Sequence, residues 1–262
     1  WGVTDNSGVE CLIDDDWADS EAATFLGGLQ AGSTIGSVAG IFNFSFGTYK
    51  IQIRNMDDID PTSDFVSIDV NNIIGWNLVG LPVSVVDGSL SAVYPEGTPG
   101  TLYSYNGAYV GVDGLVSGEG YWLHFPDAGM TTISGTPISS LTVSLTAGWN
   151  LFSGISEATN VSGISDPGDI IVPGTVYGFS GSYAGASVLT PGHGYWVNAS
   201  ADGDITISSG GAAKTRSAFT DRTKEANVLS FKGSDLYFGV SIPEEEMLSY
   251  QLPPKPPAGA FD

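Results

Sequence analysis

The sequence predicts an all-β protein assembled from several small modules, and three observations carry that reading. Thirty-six glycines and 14 prolines accompany a charged fraction of only 14 %, a composition of short strands and tight turns rather than long helices. Polar and apolar residues alternate over stretches such as 48–54, which is the period of a strand. A unit of roughly 70 residues is also written twice in succession, with Trp76, Tyr103, Tyr109 and Trp122 matching Trp149, Tyr177, Tyr183 and Trp196.

Residues 1–60 read as strands in two stretches, "WGVTDNSGVECLIDDDW" and "STIGSVAGIFNFSFGTYKIQIRNMDDI". In the second stretch Tyr49, Ile51 and Ile53 fall on one face, and Lys50, Gln52 and Arg54 on the other. Between the two, "ADSEAATFLGGLQAG" predicts a helical turn closed by Gly27 and Gly28.

The first repeat occupies residues 61–135 and the second 136–210. Their cores are "IIGWNLVGLPV" and "TAGWNLFSGIS", and each later reaches a glycine-flanked aromatic strand, "GEGYWLHF" or "GHGYWVNA". Asn106-Gly107 predicts a type I′ hairpin, and Ser180-Gly181 occupies the same place in the second copy. Each repeat therefore predicts about six short antiparallel strands in a small barrel or sandwich. Residues 211–226, with four of the eight cations, predict an exposed linker. Residues 227–262 predict the opening strands of a further β module, followed by a proline-rich exit, "QLPPKPPAGAFD".

The stretch "VTDNSGVECLIDDDW…GSVAGIFNFSFGTYKIQIRNMDDI" resembles the later strands of OB-like barrel modules found in secreted bacterial proteins. That likeness covers about residues 1–60 and implies a barrel that lacks its first strands. The paired GWNL and GYW phrases, with "ANVLSF…DLYFGV…QLPPKPP", resemble secreted multi-module bacterial proteins that carry a type IX-type sorting domain. This second likeness covers about residues 61–262. It implies an extracellular or cell-surface location and no defined catalysis.

Charge and composition exclude several functions. The net charge is −21, and no Lys or Arg occurs between Arg54 and Lys214, so nucleic acid and anionic membranes are repelled. No run of 18 apolar residues is present to span a membrane, and "WGVTDNSGVE" does not read as a signal peptide. One cysteine, Cys11, and two histidines leave little material for structural zinc or thiol catalysis. Cys11 reads as a buried apolar thiol or an intermolecular link. Nucleophile-elbow and phosphate-loop patterns are missing as well.

Two candidate sites remain. Closely spaced aspartates in loops can supply the six to eight oxygens that calcium takes, and Asp57, Asp58, Asp60 and Asp64 form the best group. The loops "DNSG" at 5–8, "IDDDW" at 13–17 and "ASADGD" at 199–204 are further candidates. On the two YW strands, Trp122 shares a face with His124, and Trp196 with Asn198. Those faces are either ligand-binding platforms for sugar or the seam where one repeat packs on the next. Burying a Trp removes roughly 150–250 Å² from water, worth on the order of 4–6 kcal/mol as an upper bound. A unit this small without disulfides needs such burial, which favours the seam.

The sequence thus points to a non-catalytic extracellular structural or adhesive protein, with neighbouring copies or further modules of a longer chain as partners. Incomplete modules suggest assembly into a stalk or fibre by strand sharing. The second reading is a carbohydrate- or surface-binding accessory region of a larger secreted enzyme, with a polysaccharide as partner.

Overall fold

Strands dominate the computed structural model, which describes residues 2–4, 10–28, 35–60, 66–211, 219–231 and 234–257. The sheets are almost entirely antiparallel, and among the described residues none closes into a barrel. The chain divides into two compact units. One comprises Trp1–Ser67 with Val83–Gly88 and Ser134–Pro137, and the other Ile68–Pro82, Ser89–Ile133 and Ile138–Asp262. Most of both repeats lies in the second unit, while Val83–Gly88 of the first repeat falls in the first unit.

In the first unit the sheet order is Gly2–Thr4, Glu10–Asp14, Thr48–Gln52, Ile41–Ser45. Its central pair, Glu10–Asp14 with Thr48–Gln52, is parallel. The helix Ser20–Gly28 starts where the Asp19 carboxylate accepts the Ala22 N–H at 2.9 Å, an N-terminal cap. Ala22 and Leu26, one turn apart, then meet Ile13, Ile53 and Ile59 in the core. Tyr49, on the face it shares with Ile51 and Ile53, is 61 % exposed. It stacks on Phe42 with centroids 5.1 Å apart and lies against Phe44 at 4.7 Å. Gln52, on the face expected to be polar, is buried. Cys11 is half-buried.

In the second unit each repeat builds the same four-stranded sheet. The first runs Tyr109–Gly111, Tyr103–Tyr105, Gly120–Phe125, Gly75–Gly80. The second runs Tyr183–Gly185, Tyr177–Phe179, Gly194–Ala199, Gly148–Ser153. A further strand pair accompanies each sheet: Val66–Asn72 with Gly129–Pro137, and Ser140–Leu145 with Gly203–Ser208.

The repeated G-W-N phrase has a local cause. Gly75 and Gly148 sit at φ of 90° and 99°, a region that costs side-chain-bearing residues steric energy. Asn77 then closes the turn, accepting the Ile73 N–H at 2.9 Å and donating to the Ile73 carbonyl at 2.8 Å. Asn150 does the same for Thr146, at 3.0 and 2.7 Å. The hairpins at 106–107 and 180–181 differ from expectation. Gly107 and Gly181 have positive φ, whereas Asn106 and Ser180 do not, so neither is a type I′ turn. Tyr105 pairs with Tyr109 and Phe179 with Tyr183, which leaves three linking residues and relieves the first of them from left-handed geometry.

The two sheets approach each other backbone to backbone. The Gly80 N–H donates to the Gly192 carbonyl at 2.9 Å, and its repeat counterpart, the Ser153 N–H, donates to the Gly118 carbonyl at 3.0 Å. The first glycine of each GYW phrase lies on this contact. A Cβ on Gly120 would stand 2.6 Å from the Phe152 carbonyl oxygen, and one on Gly194 2.6 Å from that of Val79. Gly120→Ala and Gly194→Ala are therefore each expected to cost about 1–3 kcal/mol in urea unfolding. Gly185→Ala, with open space around its Cβ, is expected to stay within about 0.5 kcal/mol.

Candidate functional site

The YW strands place one row of side chains in each repeat's own core. Tyr195 and Val197 pack with Phe152 and Ile205, and Phe125 meets Tyr94 edge-on at 6.0 Å. The opposite row points into the seam. Trp122 and Trp196 are both fully buried, in one cluster with Leu78 and Leu151.

Each indole inserts into the aromatic hairpin of the other repeat. Trp122 contacts Phe179 at 4.8 Å and Tyr183 at 6.3 Å between ring centroids. Trp196 contacts Tyr105 at 4.8 Å and Tyr109 at 6.5 Å. Trp76 and Trp149 back them edge-on, at 6.3 and 6.2 Å. The contacts are reciprocal, as in an isologous interface between two copies of one surface.

Trp122 and Trp196 are consequently not sugar-stacking platforms, because both ring faces are covered by protein. Asn198 is likewise buried, its backbone N–H donating to Thr175 Oγ1 at 3.2 Å. His124 is half-buried, with Nδ1 3.0 Å from Thr98 Oγ1 and its ring edge-on to Trp76. His193, also half-buried, has its pKa lowered by burial.

Among the described residues, Asp57, Asp58 and Asp60 of the calcium quartet are not gathered into a ligand set. Asp58 is buried and fully engaged by Arg54, whose backbone N–H, Nε and Nη2 donate at 2.8, 2.9 and 2.5 Å. That guanidinium pair holds the Asp58 pKa down to about 2. Asp57 and Asp60 are exposed, and Asp64 lies outside the described residues. Among the described residues the carboxylates gathered within 4.8 Å are Asp14, Asp15 and Asp16, and Asp14 is paired with Lys50. The loop at 5–8 also lies outside the described residues. In "ASADGD", Asp202 accepts the Ala147 N–H at 2.8 Å and Asp204 the Ser144 hydroxyl at 2.6 Å, so both close strand ends.

A cleft of about 570 Å³ opens in the second repeat, lined by Ile171, Val172, Pro173, Val176 and Phe219, with Asp169 its one carboxylate. Its lining also includes the hydroxyl-bearing Ser162, Tyr177 and Ser187.

The contact that sequence reasoning missed lies beside the seam. The Tyr183 hydroxyl donates to the Pro254 carbonyl at 2.5 Å, and the Tyr109 hydroxyl to the Lys255 carbonyl at 2.6 Å. These tyrosines hold equivalent positions in the two repeats, and they grip consecutive residues of "PPKPP". Pro253, Pro256 and Pro257 are buried, Pro254 is half-buried and Lys255 is exposed. Burial raises the pKa of both tyrosines. The indole of Trp122 next to Tyr109, and that of Trp196 next to Tyr183, oppose the shift. Both indole N–H groups are buried without a hydrogen bond of regular geometry. The signal available in the sequence was the tyrosine pair at one repeat offset together with a proline run.

No protein-family model, curated protein or solved structure matches the chain.

Two outcomes follow from this geometry. Trp122→Ala and Trp196→Ala should each cost about 3–5 kcal/mol, and the double variant should be non-additive because the rings share one cluster; denaturant unfolding measures both. A carboxylate whose folded pKa is depressed stabilises above its ordinary pKa of 3.8 and loses that contribution as pH falls towards 2. Asp58→Asn is therefore expected to cost roughly 1.5–3 kcal/mol at pH 7. The gap to wild type should close between pH 4 and 2, as read by thermal melts across that range.

Proposed function

We propose that this chain is a non-catalytic extracellular structural protein whose β modules assemble by strand sharing into a cell-surface stalk or fibre. The observation that carries the reading is the hairpin formed by Asn227–Phe231 and Ser234–Phe238. It is a two-stranded sheet to which no further strand is added among the described residues. Leu229, Leu236 and Phe238 share one of its faces and are 58, 60 and 56 % exposed. A two-stranded ribbon has marginal stability by itself, and apolar residues on an unpaired edge template pairing with another chain.

A second edge supports the same reading. Ile41–Ser45 is the outer strand of the first unit's sheet and carries the exposed rings of Phe42 and Phe44. A hairpin on one copy meeting a different edge on the next is a heterologous contact, which generates open filaments unless the rotation closes. The acidic surface suits an exterior setting, where salt screens self-repulsion beyond about 8–10 Å. The extracellular location itself rests on the two family resemblances. No helix among the described residues is long and apolar enough to cross a membrane. The enclosed indoles weigh against the sugar-binding alternative.

Light scattering at near-physiological salt, with and without calcium, tests the proposal. Wild type is expected as a ladder or a very large particle. Leu229→Lys/Leu236→Lys, which places charge on the hairpin face, is expected as a single species near 27.2 kDa. A wild-type chain that stays at that mass at high concentration would overturn assembly.

A further inference from the structure

We propose that the tyrosine pair on the repeat seam is a recognition site for proline-rich extended peptides, with residues 253–257 of the chain as its resident occupant. The inference is independent of strand sharing and starts from the chemistry of the segment. In "LPPKPP", Leu252, Pro253, Lys255 and Pro256 each precede a proline, which confines them to extended conformations. Gln251, at φ −81° and ψ 138°, already leads into polyproline II geometry. Little chain entropy remains to be lost on docking.

Such a segment offers acceptors and few donors, since proline has no N–H. The site presents matching groups: two phenolic hydroxyls, set by repeat symmetry on neighbouring carbonyls. Polyproline II has three residues per turn, so Pro253 and Pro256 lie on one face, and both are buried. Lys255 lies off that face and is exposed, so the site reads proline spacing and carbonyls and leaves the cation to solvent. Aromatic-lined grooves that dock P-x-x-P segments use this same combination.

The buried Trp122 and Trp196 N–H groups add a second, independent observation. Both are unpartnered, and both sit beside the hydroxyls that hold the peptide. Duplication of the repeat is what creates the pair: one tyrosine would hold one carbonyl and fix neither direction nor register.

The test uses the full chain. In Pro253→Glu/Pro256→Glu the resident segment should be released, and a labelled peptide of sequence YQLPPKPPA should bind in trans. The peptide YQLAAKAAA should not bind. Wild type should bind at least 10-fold more weakly than the released variant, because its own tail competes at millimolar effective concentration. Tyr109→Phe/Tyr183→Phe in the released background should weaken binding by roughly 5- to 100-fold, two neutral hydrogen bonds being removed. Unchanged circular dichroism establishes that these variants fold.

A second arm reads the site directly. Saturating Pro253→Glu/Pro256→Glu with the proline peptide should shift the ring resonances of labelled Tyr109 and Tyr183 towards their wild-type positions. If the resident tail comes from a second copy, wild type should show a concentration-dependent dimer that the Glu variant abolishes. If it comes from the same copy, tail occupancy should not depend on concentration. Equal binding of the proline and alanine peptides, or no shift at either tyrosine with peptide in excess, would overturn the proposal.

Discussion

Trp122 and Trp196 each stand inside the aromatic hairpin of the other repeat, and much of the second unit follows from that exchange. Each hairpin receives its neighbour's ring, while the repeat's own indole lies beside its tyrosine hydroxyl. Two small sheets that would each be marginal alone thereby share a core. The edge-on geometry suits the ring quadrupoles, the positive edge of one ring meeting the negative face of the next.

The exchange demands close backbones, and glycine supplies them. Gly120 and Gly194 lie where a single carbon would strike the facing strand. At the matched pair Gly80 and Ser153, a Cβ on Gly80 would collide with the Ser153 side chain, so only one of the two equivalent positions carries a side chain. The repeats are alike enough to interlock and differ where strict identity would collide. Because the exchange is reciprocal, it also brings two equivalent tyrosines to one place, and the proline segment lies across them.

Electrostatics has a local part in the first unit. Arg54 and Lys50, two of the few cations, are each committed to one aspartate, Asp58 and Asp14. Both carboxylate oxygens of Asp58 accept hydrogen bonds from Arg54. The remaining carboxylates far outnumber the cations, so the net charge stays strongly negative.

The sequence by itself determined the strands, the duplication and the turn glycines, because these follow from period-2 patterning and local φ preferences. It also contained Arg54 and Asp58 four residues apart, a spacing that allows an ion pair, although reading the aspartates as a cluster obscured it. Patterning states which residues share a face and is silent on what that face meets. Only the tertiary structure turned the Trp122 face onto the second repeat, buried Gln52 while exposing Tyr49, and set Tyr109 and Tyr183 on Pro254 and Lys255. Those contacts join residues up to 146 positions apart. Their free energy depends on surfaces that exist only once both repeats have folded, and no local propensity encodes them.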